Sequence, residues 1–252
     1  MKRAALISIV SMLVLGPAGT HPVKAAEIIV RVGMGAVSAI RDLAPAFEKK
    51  TKHKVRVAFD QTPVINVRIN ANEPTDVVIM QPDEIDDLVK RTRVAADSRT
   101  NFAQAGVGVA VKAGAPKPDI STVEAFKAVM LAAKSIGYSR GGSGKIAESV
   151  MKKLGIAAEL QPKTRFIDGR PVAEDVAKGL VEVGLQQINV IIPVEGAEYV
   201  GPLPKELQET VKFTGGVLSF AKQPEAARAF LKFIASPEAA ALIRKSSMEP
   251  WS

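Results

Sequence analysis

Residues 27–59 read EIIVRVGMGAVSAIRDLAPAFEKKTKHKVRVAF. The β-branched run Glu27–Val32 ends at Gly33-Met34-Gly35 and reads as a strand. From Ala36 to Lys50, the apolar residues Ile40, Leu43 and Phe47 recur at helical spacing, and Lys49 and Lys50 complement the C-terminal dipole. Val55–Phe59 is a second strand, so the stretch is one β-α-β unit. The chain then repeats the alternation: a loop at Asp60-Gln61-Thr62-Pro63, a helix over 65–71, a continuous apolar strand over 76–80 and a helix over 83–91. A fully apolar run between helices is the mark of a parallel strand buried on both faces. The order predicts an α/β lobe with a parallel sheet.

A strand over 107–112 runs into Ala113-Gly-Ala-Pro-Lys-Pro118, and Gly201-Pro-Leu-Pro204 is a second breaker-rich connector. Between them lie a helix to Ala133 opened by a capping box at Ser121–Glu124, a strand over 135–138 and a helix over 142–154. A short helix over 171–178 and a strand over 181–186 complete this set. Beyond the second connector come a strand or pair of strands (211–214 and 216–220), a helix over 224–234 and a restart at Ser236-Pro237-Glu238. The expected organisation is one lobe from 26–112 and 206–252, with a second lobe, 113–205, inserted into it. Strands 107–112 and 211–220 would cross between lobes, forming a hinge and a cleft lined by strand ends.

The 252 residues hold no Cys, two His, 34 Lys+Arg and 26 Asp+Glu. The absence of Cys excludes disulfides, thiolate metal sites and Cys nucleophiles. Lys2-Arg3, a thirteen-residue apolar run Ala4–Gly16, and Val23-Lys24-Ala25 form a charged start, a short apolar centre and a small-residue exit. That pattern reads as a secretory signal over 1–25, cleaved near Ala25-Ala26, and places the mature chain in the periplasm. Residues 1–25 hold three positive charges (Lys2, Arg3, Lys24) and no acid, so the remainder keeps +5 of the formal +8. Aromatics at 5% and dispersed basic residues argue against nucleic acid as a partner. No later segment approaches a membrane span. His53, between Lys52 and Lys54, is expected in solvent, and the acidic group Asp83, Glu84, Asp86, Asp87 lacks Ca²⁺-loop spacing. No metal site or cofactor is expected, and the chain is expected to be a monomer.

Two turns between a strand and a helix carry the chemistry. Gly33-Met34-Gly35-Ala-Val-Ser38 lacks the third glycine of a dinucleotide fingerprint and reads instead as a tight turn aiming N–H groups at a small anion. Ser139-Arg140-Gly141-Gly142-Ser143-Gly144-Lys145 fails as a P-loop at Ser139 and Ile146. It still offers N–H groups at a helix start, Ser hydroxyls, and a guanidinium able to clamp a carboxylate. Gln61-Thr62, Gln81 and Gln186-Gln187 sit past strand ends, where ligands of open α/β sheets bind.

As a set, "LAPAFEKKTKHKV", "NEPTDVVIM", "YSRGGSGKIAESVMKKLGI", "EVGLQQIN", "GPLPKELQ" and "PEAARAFLKFIASPEAA" resemble the type II periplasmic solute-binding proteins of ABC transporters, in the molybdate-binding branch. The resemblance implies a two-lobed α/β fold that closes on a small anion and delivers it to a membrane permease. It implies ligand contacts at Gly35, Thr62, Ser143 and Gln187, to which the residues themselves add Gln81, Ser139 and Arg140. Two departures stand out: the family's first-loop Ser is replaced around Met34-Gly35, and Arg140 is added beside the anion turn. A planar carboxylate uses a guanidinium better than a tetrahedral oxyanion held by neutral donors does. The branch also resembles aconitate isomerases, periplasmic enzymes that move a double bond in a tricarboxylate. That alternative needs a base, for which Asp60, Tyr138 and Lys145 are the candidates.

Overall fold

The protein is described by a computed structural model over residues 25–251, so the predicted signal segment lies, but for Ala25, outside the described residues. Strand β1 (Glu27–Gly33) pairs in parallel with β2 (Lys54–Asp60) and β3 (Val77–Met80). Helices α1 (Val37–Thr51), α2 (Thr62–Asn70) and α3 (Pro82–Lys90) make the connections. Ile40, Leu43 and Phe47 form the buried stripe of α1, and Lys52 ends it in the left-handed conformation. All four residues of β3 are buried, as a two-sided core strand requires.

The second lobe repeats the plan with shorter pieces. Its parallel triplet is β6 (Thr164–Phe166), β5 (Ile136–Tyr138) and β7 (Val183–Gln187). Around it lie α4 (Val123–Ala132), α5 (Gly142–Lys153), α6 (Ala157–Leu160), α7 (Val172–Ala177) and α8 (Ile188–Ile191).

One long strand, β4 (Thr100–Lys112), serves both lobes. Its first half pairs antiparallel with β9 (Thr210–Val217), which itself lies antiparallel to β3. Its second half pairs antiparallel with β7 and with β8 (Ala197–Pro202). The change of partner falls at Gly106/Val107, inside the strand, so residues 107–112 belong to the second lobe's sheet. The return path runs through residues 203–209, before β9 begins. The first lobe is completed by α9 (Pro224–Ile234), α10 (Ala240–Lys245) and β10 (Glu249–Pro250), which pairs with β4.

Several expectations are corrected. Of the two alternatives for 211–220, a single strand forms and it ends at Val217, short of Phe220; the Gly215-Gly216 pair stays in register with β3. Thr122, not Ser121, is the N-cap of α4; its Oγ1 accepts the Ala125 N–H at 3.1 Å. Ser236 precedes a short 3-10 turn and donates backwards to the Phe233 carbonyl instead of capping forwards. Strands β6 and β8 were not expected. His53 is not in solvent: it is 5% exposed, stacks on Phe47, and accepts the Ala26 N–H on Nδ1 at 3.1 Å. It joins the start of β2 to the start of β1, at the opposite end of the sheet from the strand ends that face the other lobe.

Candidate functional site: an inter-lobe cleft

The C-terminal ends of both parallel triplets open into one cavity of about 630 Å³. From the first lobe, the 3-10 turn Met34–Ala36 brings Gly35 to its wall, and the N-termini of α2 and α3 bring Gln61, Thr62 and Gln81. Asn66 and Glu84 follow one turn later and touch each other, Nδ2 to Oε2, at 3.4 Å. This wall is made largely of neutral amides and a hydroxyl.

The second lobe offers a different surface. The turn between β5 and α5 supplies Ser139, Arg140 and, one turn into the helix, Lys145. The loop between β6 and α7 supplies Asp168, Gly169 and Arg170. Arg170 is anchored: its Nε and Nη2 donate to buried Asp175 at 2.8–3.1 Å. Arg140 is anchored as well. Asp168 accepts its backbone N–H at 2.8 Å and its Nη1 at 2.6 Å, while Phe166 lies 4.2 Å under the guanidinium. Arg140's backbone N–H, followed by its side chain, holds the Asp168 carboxyl below the usual range, so it is ionised at neutral pH. Lys145 makes no ion pair among the described residues, and the first N–H groups of α5 point out of the helix start, as in any helix.

The lobes already touch across the cleft. Asn189 Nδ2 donates to the Gly35 carbonyl at 2.9 Å and to Ser38 Oγ at 2.8 Å. A Cβ on Gly35 would stand 2.6 Å from both amide atoms of Gln187, so glycine is what allows β7's last side chain to lie there. Gln187 is 7% exposed, and its Nε2 has no hydrogen-bond partner among the described residues. A buried donor left unpaired at the wall of a cavity is a feature that a bound acceptor satisfies.

Residues 28–249 match the family described as bacterial extracellular solute-binding protein. The chain belongs to that family. It is 37% identical to an aconitate isomerase from Pseudomonas sp over 222 residues, 86% of this chain and 85% of that one. It is 27% identical to the molybdate-binding protein ModA of Rhodobacter capsulatus, over 89% of this chain and 88% of that one. The fold matches the periplasmic molybdate-binding protein of Azotobacter vinelandii with a TM-score of 0.74 at 18% identity, over 88% of this chain and 98% of that one. The architecture is thus the two-lobed one of periplasmic binding proteins.

In this solute-binding protein the cleft brings together Gly35, Thr62, Gln81, Ser139, Arg140, Lys145 and Gln187. Three residues singled out by the sequence lie elsewhere. Ser143 is buried in the first turn of α5 and does not line the cavity. Asp60, at the end of β2, lies 3.6 Å from Arg31 Nη1 and 3.3 Å from Arg68 Nε, behind the wall rather than on it. Tyr138 packs against Phe166 beside Glu148, outside the cleft, and burial pushes its phenol pKa up. Asp168, Arg170 and Asn189 were not anticipated. Reading Thr164–Phe166 as a strand would have placed Asp168 and Arg170 at a strand end, where ligands bind. Among the described residues there is no cluster of three or more metal-ligating His or acidic side chains, and no helix is long and apolar enough to cross a membrane.

Proposed function

We propose that the protein captures a small organic polycarboxylate between its lobes, in the periplasm, and delivers it to an ABC-transporter permease. One observation supports the reading: Arg140, Lys145 and Arg170 converge from the second lobe on a 630 Å³ cavity whose opposite wall carries neutral donors and a single acid, Glu84. Three cations facing a wall made mostly of neutral donors suit an extended anion with several carboxylates. A four-oxygen inorganic anion fills only the space of three or four waters, on the order of 100 Å³. Beyond the N–H groups already bonded to Asp175 and Asp168, the Arg170 and Arg140 guanidinium groups keep further donors suited to a carboxylate. Thr62, Gln81 and the unpaired Gln187 amide then close over the ligand, which stabilises the closed state by as much as it prefers that state. Secretion rests on the signal pattern at 1–25, and hand-over to a permease on the family.

A second reading, isomerisation of a tricarboxylate on the same scaffold, is favoured by the 37% identical aconitate isomerase. Moving a double bond needs a base beside the carbon that loses its proton, and donors for the charge that builds on the adjacent carboxylate. Of the three candidate bases, Lys145 stands in the cleft, Asp60 is held between two arginines, and Tyr138 is outside it.

A thermal-shift panel of molybdate, tungstate, sulfate, citrate and both aconitates tests the first reading. A true ligand at about 100 times its Kd adds roughly 2.7 kcal/mol, or on the order of 5–10 °C. The expected outcome is a shift with a polycarboxylate; a larger shift with molybdate than with every carboxylate contradicts it. Chromatography of the aconitate samples decides between binding and turnover. Interconversion that Lys145→Met abolishes, with the aconitate shift retained, establishes the enzyme.

A further inference from the structure

The strand-to-helix turn at 139–142 has the form of an anion cradle, yet part of it is already occupied by the protein's own groups. The Arg140 N–H is bonded to Asp168 Oδ1 at 2.8 Å, and the Gly141 N–H to Ser139 Oγ at 3.2 Å. Arg140 Nη1 is bonded to Asp168 Oδ2 at 2.6 Å. The guanidinium is therefore held from two sides, by Asp168 Oδ2 at Nη1 and by the Phe166 ring beneath it, while Asp168 Oδ1 holds the main chain of the same residue. Gly169, at φ +83°, folds the 167–171 loop back so that Asp168 reaches the turn. Gln61 of the other lobe lies close over this loop, 3.3 Å from where a Gly169 Cβ would stand.

We propose that Asp168 is a specificity-determining residue of the cleft, an internal carboxylate that reserves the Arg140 turn for planar carboxylates and turns away inorganic tetrahedral dianions. The inference rests on the polycarboxylate reading above. Its physics is twofold. Asp168 takes the backbone N–H that a tetrahedral anion seated in the turn would use, and sets a negative charge beside that seat. Like charges placed close together disfavour one another, a ground for discrimination even at this half-exposed pair. At the same time Asp168 fixes the guanidinium plane while engaging only Nη1, so the remaining edge is presented to a flat, two-oxygen partner in a set orientation. Asp168 stays charged throughout the neutral range, so this filter is permanent and not a pH switch.

The test compares wild type, Asp168→Asn and Asp168→Glu by titration calorimetry with cis-aconitate, citrate and molybdate. Asparagine keeps an oxygen for the Arg140 N–H and nearly the same volume, so the turn is retained while the charge is lost. Asp168→Ser serves as a second neutral variant should the first fold poorly. The ratio of carboxylate to molybdate affinity is expected to fall about tenfold in the neutral variants, the order that removing one nearby like charge gives. Asp168→Glu is expected to restore the wild-type ratio. A merely structural role weakens both ligand classes alike and leaves the ratio unmoved, and that result overturns the proposal. Wild-type protein that binds no carboxylate overturns the function proposed above, and this filter with it. Carboxylate binding with an unmoved ratio overturns the role of Asp168 alone.

Discussion

The two lobes are built on one plan and present opposite chemistry. Each ends a parallel triplet, β2-β1-β3 or β6-β5-β7, at the shared cavity, and each aims helix N-termini at it. In the first lobe the charged residues near the wall neutralise one another behind it: Arg31 and Arg68 meet Asp60 and Glu73. What reaches the cavity is Gln61, Thr62, Asn66 and Gln81, with Glu84 the lone charge. In the second lobe three cations, Arg140, Lys145 and Arg170, reach the cavity against one acid, Asp168. The contrast divides the work. On the function proposed above, the second lobe reads the ligand's charge, and the first supplies neutral hydrogen bonds that complete the enclosure.

The largest expected effect breaks the charged side of this comparison. Arg170→Met removes one fork from the cavity and leaves buried Asp175 without its counter-charge. Asp175 is buried but Arg170 is half exposed, so the loss of these charged hydrogen bonds costs about 1.5–3 kcal/mol, which urea denaturation reads directly. Replacing both residues, Arg170→Met with Asp175→Leu, is expected to recover the stability and not the ligand binding. Recovery of both would remove Arg170 from the recognition surface. A smaller effect sharpens the neutral side. Gly35→Ala places a methyl 2.6 Å from the Gln187 amide and 2.7 Å from Phe213. Overpacking of that kind costs roughly 1–3 kcal/mol, and here it falls on the approach of the lobes. Ligand binding is expected to weaken about tenfold, as read by titration calorimetry. An unchanged affinity would mean that the lobes need not approach at Gly35.

The first lobe was the more legible in sequence, for a physical reason. Its elements are long enough to show their period: Ile40, Leu43 and Phe47 mark α1, and the apolar run 77–80 marks a core strand. The second lobe's β5 and β6 have three residues each, and β6 is half-exposed Thr-Arg-Phe with no apolar alternation. Missing that strand hid the loop after it, and with it Asp168 and Arg170. The turn at Arg140 was legible from its glycines and hydroxyls as a link between strand and helix; that Asp168 already bonds two of its groups depends on a contact 28 residues away. Asp60 looked like a cleft carboxylate because it ends a strand. Its partners Arg31 and Arg68 come from different elements, so nothing local announces that it is tied up. His53 was misread because its lysine neighbours are polar, although strand alternation and the left-handed Lys52 turn its ring inwards against Phe47.

The division of labour between lobes is tested most directly by titrating one polycarboxylate, cis-aconitate or citrate, into two paired variants. One pair, Arg140→Ala with Lys145→Ala, strips charge from the second lobe; the other, Thr62→Val with Gln81→Leu, strips neutral donors from the first. Hydrogen bonds to charged groups contribute about 1.5–3 kcal/mol each and neutral ones about 0.5–1.5. The second-lobe pair is therefore expected to lose on the order of a hundredfold in affinity or more, and the first-lobe pair about tenfold. An equal or greater loss from the first-lobe pair would contradict the account.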